Sequence, residues 1–117
     1  MIDKWIQEIK TEVGPEQLGM ILVHNGIVRA STKEGKPVKY MNLSFDAEKL
    51  DLWVNKFKVC DGIEDIRVWI NRGALNVGDD IMYVLVAGRF RTDVLPVLQE
   101  LLSIIKKEIV TEKEVCL

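Results

Sequence analysis

Histidine and cysteine are scarce in this sequence, which has one histidine, His24, and two cysteines, Cys60 and Cys116, among 117 residues. A metal site with several histidines is therefore excluded within one chain. The spacing of the cysteines matches neither a zinc motif nor a CxxC redox motif. We expect no metal site of this kind, and two reduced thiols of the kind found in cytoplasmic proteins. His24 lies in an apolar segment, which favours a hydrogen-bonded core residue over a general base.

Long apolar runs and a strong net charge are also absent. No apolar run approaches the ~20 residues that a membrane-spanning helix needs, and the opening MIDKWIQEIK lacks the continuous apolar segment of a signal peptide. The formal net charge is only −2, so the chain as a whole is not attracted to nucleic acid or to anionic membranes. We therefore predict neither of these partners, and any anion site must come from a local cluster of basic side chains.

Hydrophobic residues make up 48% of the chain, which is enough for a packed core and predicts one folded domain over residues 1–117. The spacing of the apolar residues predicts helices at 2–13 and 46–60, and a third helix that Thr92 caps. Strands are predicted at 18–28, 38–45, 66–70 and 81–88, and the residues after Lys107 form a last strand or an extended tail. This order predicts an α+β fold with helices packed on a mostly antiparallel sheet, a two-layer sandwich of the α/β-hammerhead kind.

Arginines follow two of the predicted strands. Arg29 ends one strand, and Arg89 and Arg91 follow another just before a helix. If Arg89 and Arg91 continue the strand, they share one face, and the helix start adds free N–H groups and the positive end of its dipole. Guanidinium groups bind two oxygens of a phosphate or a carboxylate at once, so these residues are candidates for an anion site. The alternative is that they are solvated or paired with some of the 18 acidic side chains.

Lysines cluster at the end of the last predicted helix, where Lys106 and Lys107 are followed by Lys113. The simpler explanation is that they complement the helix dipole. The functional alternative requires them to fold back beside the arginines. A lysine in a crowded positive pocket has a lowered pKa, which allows it to act as a nucleophile or a proton carrier near neutral pH.

Three segments resemble the large catalytic subunit of molybdopterin synthase. GIVR (26–29) is similar to that family's G-x-V-R strand end, and GALNVGDDIMYVLV (73–86) to its G-x-L-x-x-G-D segment and the strand after it. AGRFRTDVLPVLQELLSIIKKEIVTEK (87–113) aligns without a gap with its A-P-H-R segment, long helix and K-T-R-x-P-x-W-K ending. The resemblance spans roughly residues 18–113.

The resemblance implies a reaction and partners. Members of this family convert a cyclic pyranopterin monophosphate into molybdopterin, with sulfur supplied as a thiocarboxylate on the C-terminal Gly-Gly of a ubiquitin-like small subunit. Two large subunits form the central homodimer, and sulfur transfer needs no cofactor. By position, Lys106 matches the main catalytic lysine and Lys113 the second one. Arg29 and Arg91 match arginines that bind substrate, and Arg89 stands where the family has proline.

Several positions depart from the family pattern and motivate two alternatives. Phe90 replaces the histidine of A-P-H-R, the residues before Lys113 lack the family's proline and tryptophan, and the sequence ends at Leu117, before a basic and aromatic tail. The first alternative is a non-catalytic relative that binds an anionic ligand or a ubiquitin-like tail. The second, a small RNA-binding domain, is disfavoured by the acidic balance and by the lack of aromatic residues at exposed strand positions.

Overall fold

The computed structural model describes residues 1–117 and places three α-helices, one short π-helix and six strands along the chain. The α+β class predicted from the sequence is confirmed, and the segment after the last helix is a strand. In chain order the elements are α1 (Ile2–Glu12), β1 (Met20–Ile27), β2 (Val38–Phe45), α2 (Ala47–Lys58), β3 (Ile63–Ile70), β4 (Gly73–Asn76), β5 (Asp80–Gly88), α3 (Arg91–Ile104), the π-helix (Ile105–Ile109) and β6 (Val110–Cys116).

The strands divide into two antiparallel sheets of three, where the sequence led us to expect one sheet. The first sheet has the order β1-β5-β3 and the second has the order β4-β2-β6. β4 was not predicted, because GALN lies among glycines in a polar loop and shows no alternation. It forms because β2 offers it a free edge, with Tyr40 opposite Asn76 and Leu43 opposite Gly73.

β5 is the central strand of the first sheet and is buried on both faces. Val84 and Val86 point into the main core with α2 and α3, whereas Leu85 and Ala87 point to the opposite face and contact Ile9 of α1. Burial on both faces explains why this strand is a continuous apolar run and not an alternating one. The first sheet therefore lies between α1 on one side and α2 and α3 on the other.

α1 is held to the sheet by one fully buried residue, Ile9, and by an ionic cluster around Arg67 of β3. The Arg67 guanidinium donates hydrogen bonds to Glu8 (2.8 Å) and Asp65 (2.9 Å), and lies 3.6 Å from Glu12. Burial acts to lower the pKa of Arg67, but the hydrogen bonds and charges of Asp65 and Glu8 together outweigh it and raise the pKa. The guanidinium therefore stays charged and links the helix to the sheet.

The two longer helices begin differently. α2 begins as predicted, since the Asp46 side chain accepts a hydrogen bond from the Lys49 backbone N–H (3.0 Å). The prediction that Thr92 caps α3 is wrong, because the helix already begins at Arg91 and its cap position is Phe90, which makes no side-chain cap.

No helix is both long enough and apolar enough to span a membrane. Cys60 and Cys116 are free and exposed.

Candidate functional site

An open cleft of about 430 Å³ lies where the two sheets meet. Apolar and charged side chains both line it, and they come from strands of both sheets, from the loop after β1 and from the π-helix. The residues that line it are Ile27, Arg29, Lys33, Glu34, Met41, Ile81, Lys106, Glu112 and Glu114. Two residues predicted from the sequence, Arg29 and Lys106, therefore line the same cleft.

A smaller and more apolar cleft of about 240 Å³ adjoins the first. It is lined by His24, Gly26, Ile81, Met82, Leu102, Ile105, Lys106 and Glu112. Lys106 and Glu112 belong to both clefts and stand at the boundary between them. The prediction of a hydrogen-bonded core histidine is wrong, because His24 is only half-buried and its ring makes no hydrogen bond within the chain.

The π-helix positions Lys106. Ile105 is 1% exposed and Ile109 is 3% exposed, so these two side chains fix the turn against the core and leave Lys106 exposed between them. The Ile109 carbonyl also accepts a hydrogen bond from the Asp46 N–H (3.0 Å) at the start of α2. The backbone of Lys106 is thus fixed by the buried residues on either side of it, while its side chain, which carries the ammonium group, is exposed and flexible. π-helical turns are rare and occur frequently at functional sites.

Arg29 is positioned by the residue before it. Val28 is 2% exposed. Its N–H donates to the Asp79 carbonyl (3.0 Å), and its carbonyl accepts from the Gly78 N–H (2.9 Å). The chain is therefore fixed at the point where it leaves the sheet, and Arg29 follows as an exposed side chain at the mouth of the cleft.

The charges in the larger cleft are of both signs and are unpaired. Three cationic side chains and three carboxylates line it, and no nitrogen–oxygen distance of 4.0 Å or less joins any of these six groups to an opposite charge. Elsewhere the chain does pair its charges, as in the Arg67 cluster and in the contact of Lys58 with Asp65 (3.6 Å). The cleft is thus a concentration of available charge.

Lys113 lies apart from Lys106. Val110 of β6 is buried in the core, and side chains alternate along a strand, so Glu112 and Glu114 share its inward face and Lys113 points to the outer face. There it lines a separate groove with Asn42, Leu43, Ser44, Gly73, Ala74 and Thr111.

Arg89 and Arg91 lie at the opposite end of the first sheet from Arg29. β5 runs from Asp80, opposite Ile27, to Gly88, opposite Met20, and at about 3.3 Å per residue this separates the two ends by about 26 Å. The two arginines therefore do not join the cleft of their own chain.

The expectation that Arg89 and Arg91 share a strand face is wrong, because Arg91 is the first residue of α3. Arg91 is exposed. Arg89 lies 3.6 Å from Asp61 and 3.8 Å from Asp93, and its guanidinium is 5.1 Å from the centre of the Phe90 ring. For Arg89 the alternative reading, pairing with acidic side chains, describes the structure.

Four charged residues that line the cleft were not predicted from the sequence: Lys33, Glu34, Glu112 and Glu114. The first two lie in a polar loop whose path the sequence does not determine. The glutamates did carry a signal, since the alternation in VTEKEV (110–115) places Glu112 and Glu114 on the face of Val110 once the segment is known to be a strand.

Comparison with known proteins identifies the family. A sequence model described as "MoaE protein" matches residues 3–108. The chain belongs to the MoaE protein family. This confirms the resemblance inferred from the sequence. No curated protein matches the chain in a sequence search.

Solved structures of the family share the fold. Molybdopterin synthase from Staphylococcus aureus superposes with a TM-score of 0.78 at 20% identity, over 96% of this chain and 84% of that one. A complex of subunits 1 and 2 of molybdopterin-converting factor from Helicobacter pylori gives 0.77 at 15% identity, over 98% and 75%. Molybdopterin cofactor biosynthesis protein E from Burkholderia multivorans gives 0.75 at 17% identity, over 99% and 84%. The chain therefore has the MoaE fold along nearly its whole length.

Proposed function

We propose that this chain is the large subunit of a molybdopterin synthase, folded as one domain over residues 1–117. It transfers sulfur from the thiocarboxylated Gly-Gly end of a ubiquitin-like small subunit to a cyclic pyranopterin monophosphate. Membership of the MoaE family supports the assignment. The observation that carries it is that Arg29 and Lys106, far apart in sequence, line one cleft. In this proposal Arg29 binds the substrate phosphate and Lys106 is the catalytic lysine.

Arg91 joins this proposal only through a second copy of the chain. Within one chain it begins α3 at the far end of the first sheet from Arg29 and Lys106. If Arg91 binds substrate as the resemblance implies, it does so across the homodimer. Arg89, beside it, lies close to Asp61 and Asp93. We propose that it assists substrate binding by Arg91 and does not bind the substrate in place of Arg91.

Mixed dimers test this sharing. Neither Lys106→Ala nor Arg91→Ala dimers should form product alone. Combining the two variants should restore one complete site in each mixed dimer, which is about a quarter of the wild-type number of sites after random exchange. No recovery after verified exchange would place Arg91 outside the site.

The reaction itself is tested with the thiocarboxylated small subunit and cyclic pyranopterin monophosphate, with molybdopterin detected through its fluorescent oxidation product. Lys106→Ala should abolish product. Lys107→Ala is the matched control, because Lys107 is exposed on the same π-helical turn but lines neither cleft. Both variants should keep the wild-type stability within about 0.5 kcal/mol, as is usual for exposed side chains. Equal activity of Lys106→Ala and wild type would refute the proposed mechanism.

A non-catalytic binding role is the second candidate. It is favoured by the position of Lys113, which leaves Lys106 as the one lysine on the π-helix and β6 that lines the cleft. Under this reading the chain binds an anionic ligand or the tail of the small subunit but forms no product. Binding of the small subunit together with a complete absence of molybdopterin would establish it.

A further inference from the structure

The inward face of β6 carries carboxylates into the proposed substrate cleft. Glu112 is opposite Leu43 and Glu114 is opposite Met41 in the pairing of β6 with β2. Both line the larger cleft beside Lys106. For a site that takes a phosphate, carboxylates in this position are unfavourable unless at least one of them binds a different part of the same ligand.

The pattern of charges suggests what that ligand carries. Arg29, Lys33 and Lys106 are available to an anionic group, and the carboxylates are available to hydrogen-bond donors, because none of them forms an ion pair within the chain. Ionised groups held close together without partners are costly unless they remain hydrated or meet complementary groups. A ligand with a phosphate at one end and N–H donors at the other satisfies both sets.

Glu112 differs from Glu114 in its position. Glu112 also lines the smaller cleft, whose other walls include Met82, Leu102 and Ile105, whereas Glu114 lines only the larger one. Apolar side chains suit the faces of a flat ring, and a few well-placed polar groups fix the orientation of its edge. Glu112 is thus the carboxylate placed where a ring in the smaller cleft meets the charged cleft.

We propose that Glu112 recognises the pterin ring by accepting hydrogen bonds from its 2-amino group and its N3–H. These two donors lie side by side and point the same way, so one carboxylate accepts both, as it does from an arginine fork. The apolar walls of the smaller cleft cover the ring, and the phosphate lies toward Arg29 in the larger cleft. This inference rests on the proposed function, since it names how the same site selects its substrate.

Two ring probes separate this role from a general effect of charge. The first is 6-hydroxymethylpterin monophosphate, and the second is its 2-oxo counterpart, which has a carbonyl in place of the 2-amino donor. Binding is followed by the fluorescence of each ring. We expect the wild-type protein to bind the pterin about tenfold more tightly or better, the usual effect of a hydrogen bond to a charged group.

Glu112→Gln should lose this preference, because its amide presents a donor to a ring donor. Glu114→Gln is the matched control, since it removes the same charge from the same face of the same strand, and it should keep the preference. Thermal melting of both variants checks that they are folded.

The outcomes are distinct. Equal binding of the two probes by the wild-type protein, an unchanged preference in Glu112→Gln, or an equal loss in both variants would overturn the role of Glu112 while leaving pterin phosphate binding intact. Failure of the wild-type protein to bind either probe would overturn the proposed substrate class and this inference with it.

Discussion

Attachment of α1 to the first sheet depends on Ile9, and replacing this residue by alanine should release the helix without unfolding the rest. Ile9 is 0% exposed and packs against Leu85 and Ala87. Truncating a buried isoleucine to alanine costs about 2–5 kcal/mol. α1 has only 11 residues, and isolated helices of this length are marginal in water, so the tertiary contacts must hold it. We expect a loss of about 3 kcal/mol in the free energy that holds α1 on the sheet.

Native-state hydrogen exchange measures this local free energy. A loss of about 3 kcal/mol corresponds to exchange roughly a hundredfold faster for the α1 amides, with little change for the amides of β5. Ile6→Ala is the control, because Ile6 is half-buried on the same helix and should have a smaller effect. Equal acceleration in α1 and β5 would refute the reasoning, since α1 would then be part of the main cooperative unit. Unchanged exchange in α1 would mean that the ionic cluster around Arg67 suffices.

Three further changes test the fold. Asp46→Ala removes the cap of α2 and should cost about 1 kcal/mol in urea unfolding. Gly88→Ala should destabilise by at least about 2 kcal/mol in thermal melts, because the added carbon would lie 2.2 Å from the Gly62 carbonyl oxygen. The Tyr83 hydroxyl donates to Asp80 and lowers the pKa of that carboxyl, so the stabilisation is present above about pH 4 and is lost as the pH falls. Tyr83→Phe should raise the pKa of Asp80 in an NMR titration. It should also reduce the amount of stability that the protein loses as the pH falls below about 4.

The periodicity of the sequence was sufficient for most elements of the fold. β2 was predicted with the bounds that the structure has, Val38–Phe45, and α1 and α2 to within two residues. These segments combine a regular apolar pattern with clear ends, such as the Asp46 cap. The division into two sheets was not predictable in the same way, because it depends on which strands pair, and apolar spacing does not encode partners.

The predicted start of α3 is wrong although the residue type on which it rested, a threonine, is a common helix cap. Thr92 is a good cap residue by type, but the cap lies two residues earlier, at Phe90, which already has the extended backbone of a cap position. In place of a side-chain cap, the Asp93 N–H of the first turn donates a backbone hydrogen bond to the Phe90 carbonyl (3.0 Å). A cap position whose side chain makes no capping hydrogen bond cannot be recognised from its residue type.

The resemblance to a known family, and not the spacing of charges, located the candidate site. From spacing alone, Arg89 and Arg91 were the centre of the anion hypothesis. The structure places them at the opposite end of the first sheet from Arg29, and the two ends of β5 are about 26 Å apart. Lys106 looked like an ordinary residue of a helix end. Its place in the cleft depends on how β6 and β1 come together, which is a property of the tertiary fold.

Whether Lys113 acts together with Lys106 depends on which face of β6 its side chain lies on. This gives a last prediction. Val110 is buried, so Glu112 shares its face, and a slip of one residue that turned Lys113 into the cleft would expose Val110 to water. We therefore expect Lys113→Ala to retain clearly more synthase activity than Lys106→Ala, measured at saturating small subunit. If both variants lose activity equally while remaining folded, Lys113 must reach a site from the outer face of β6. The separate groove that it lines with Asn42 and Ser44 would then be a place where the small subunit or the second copy completes the site.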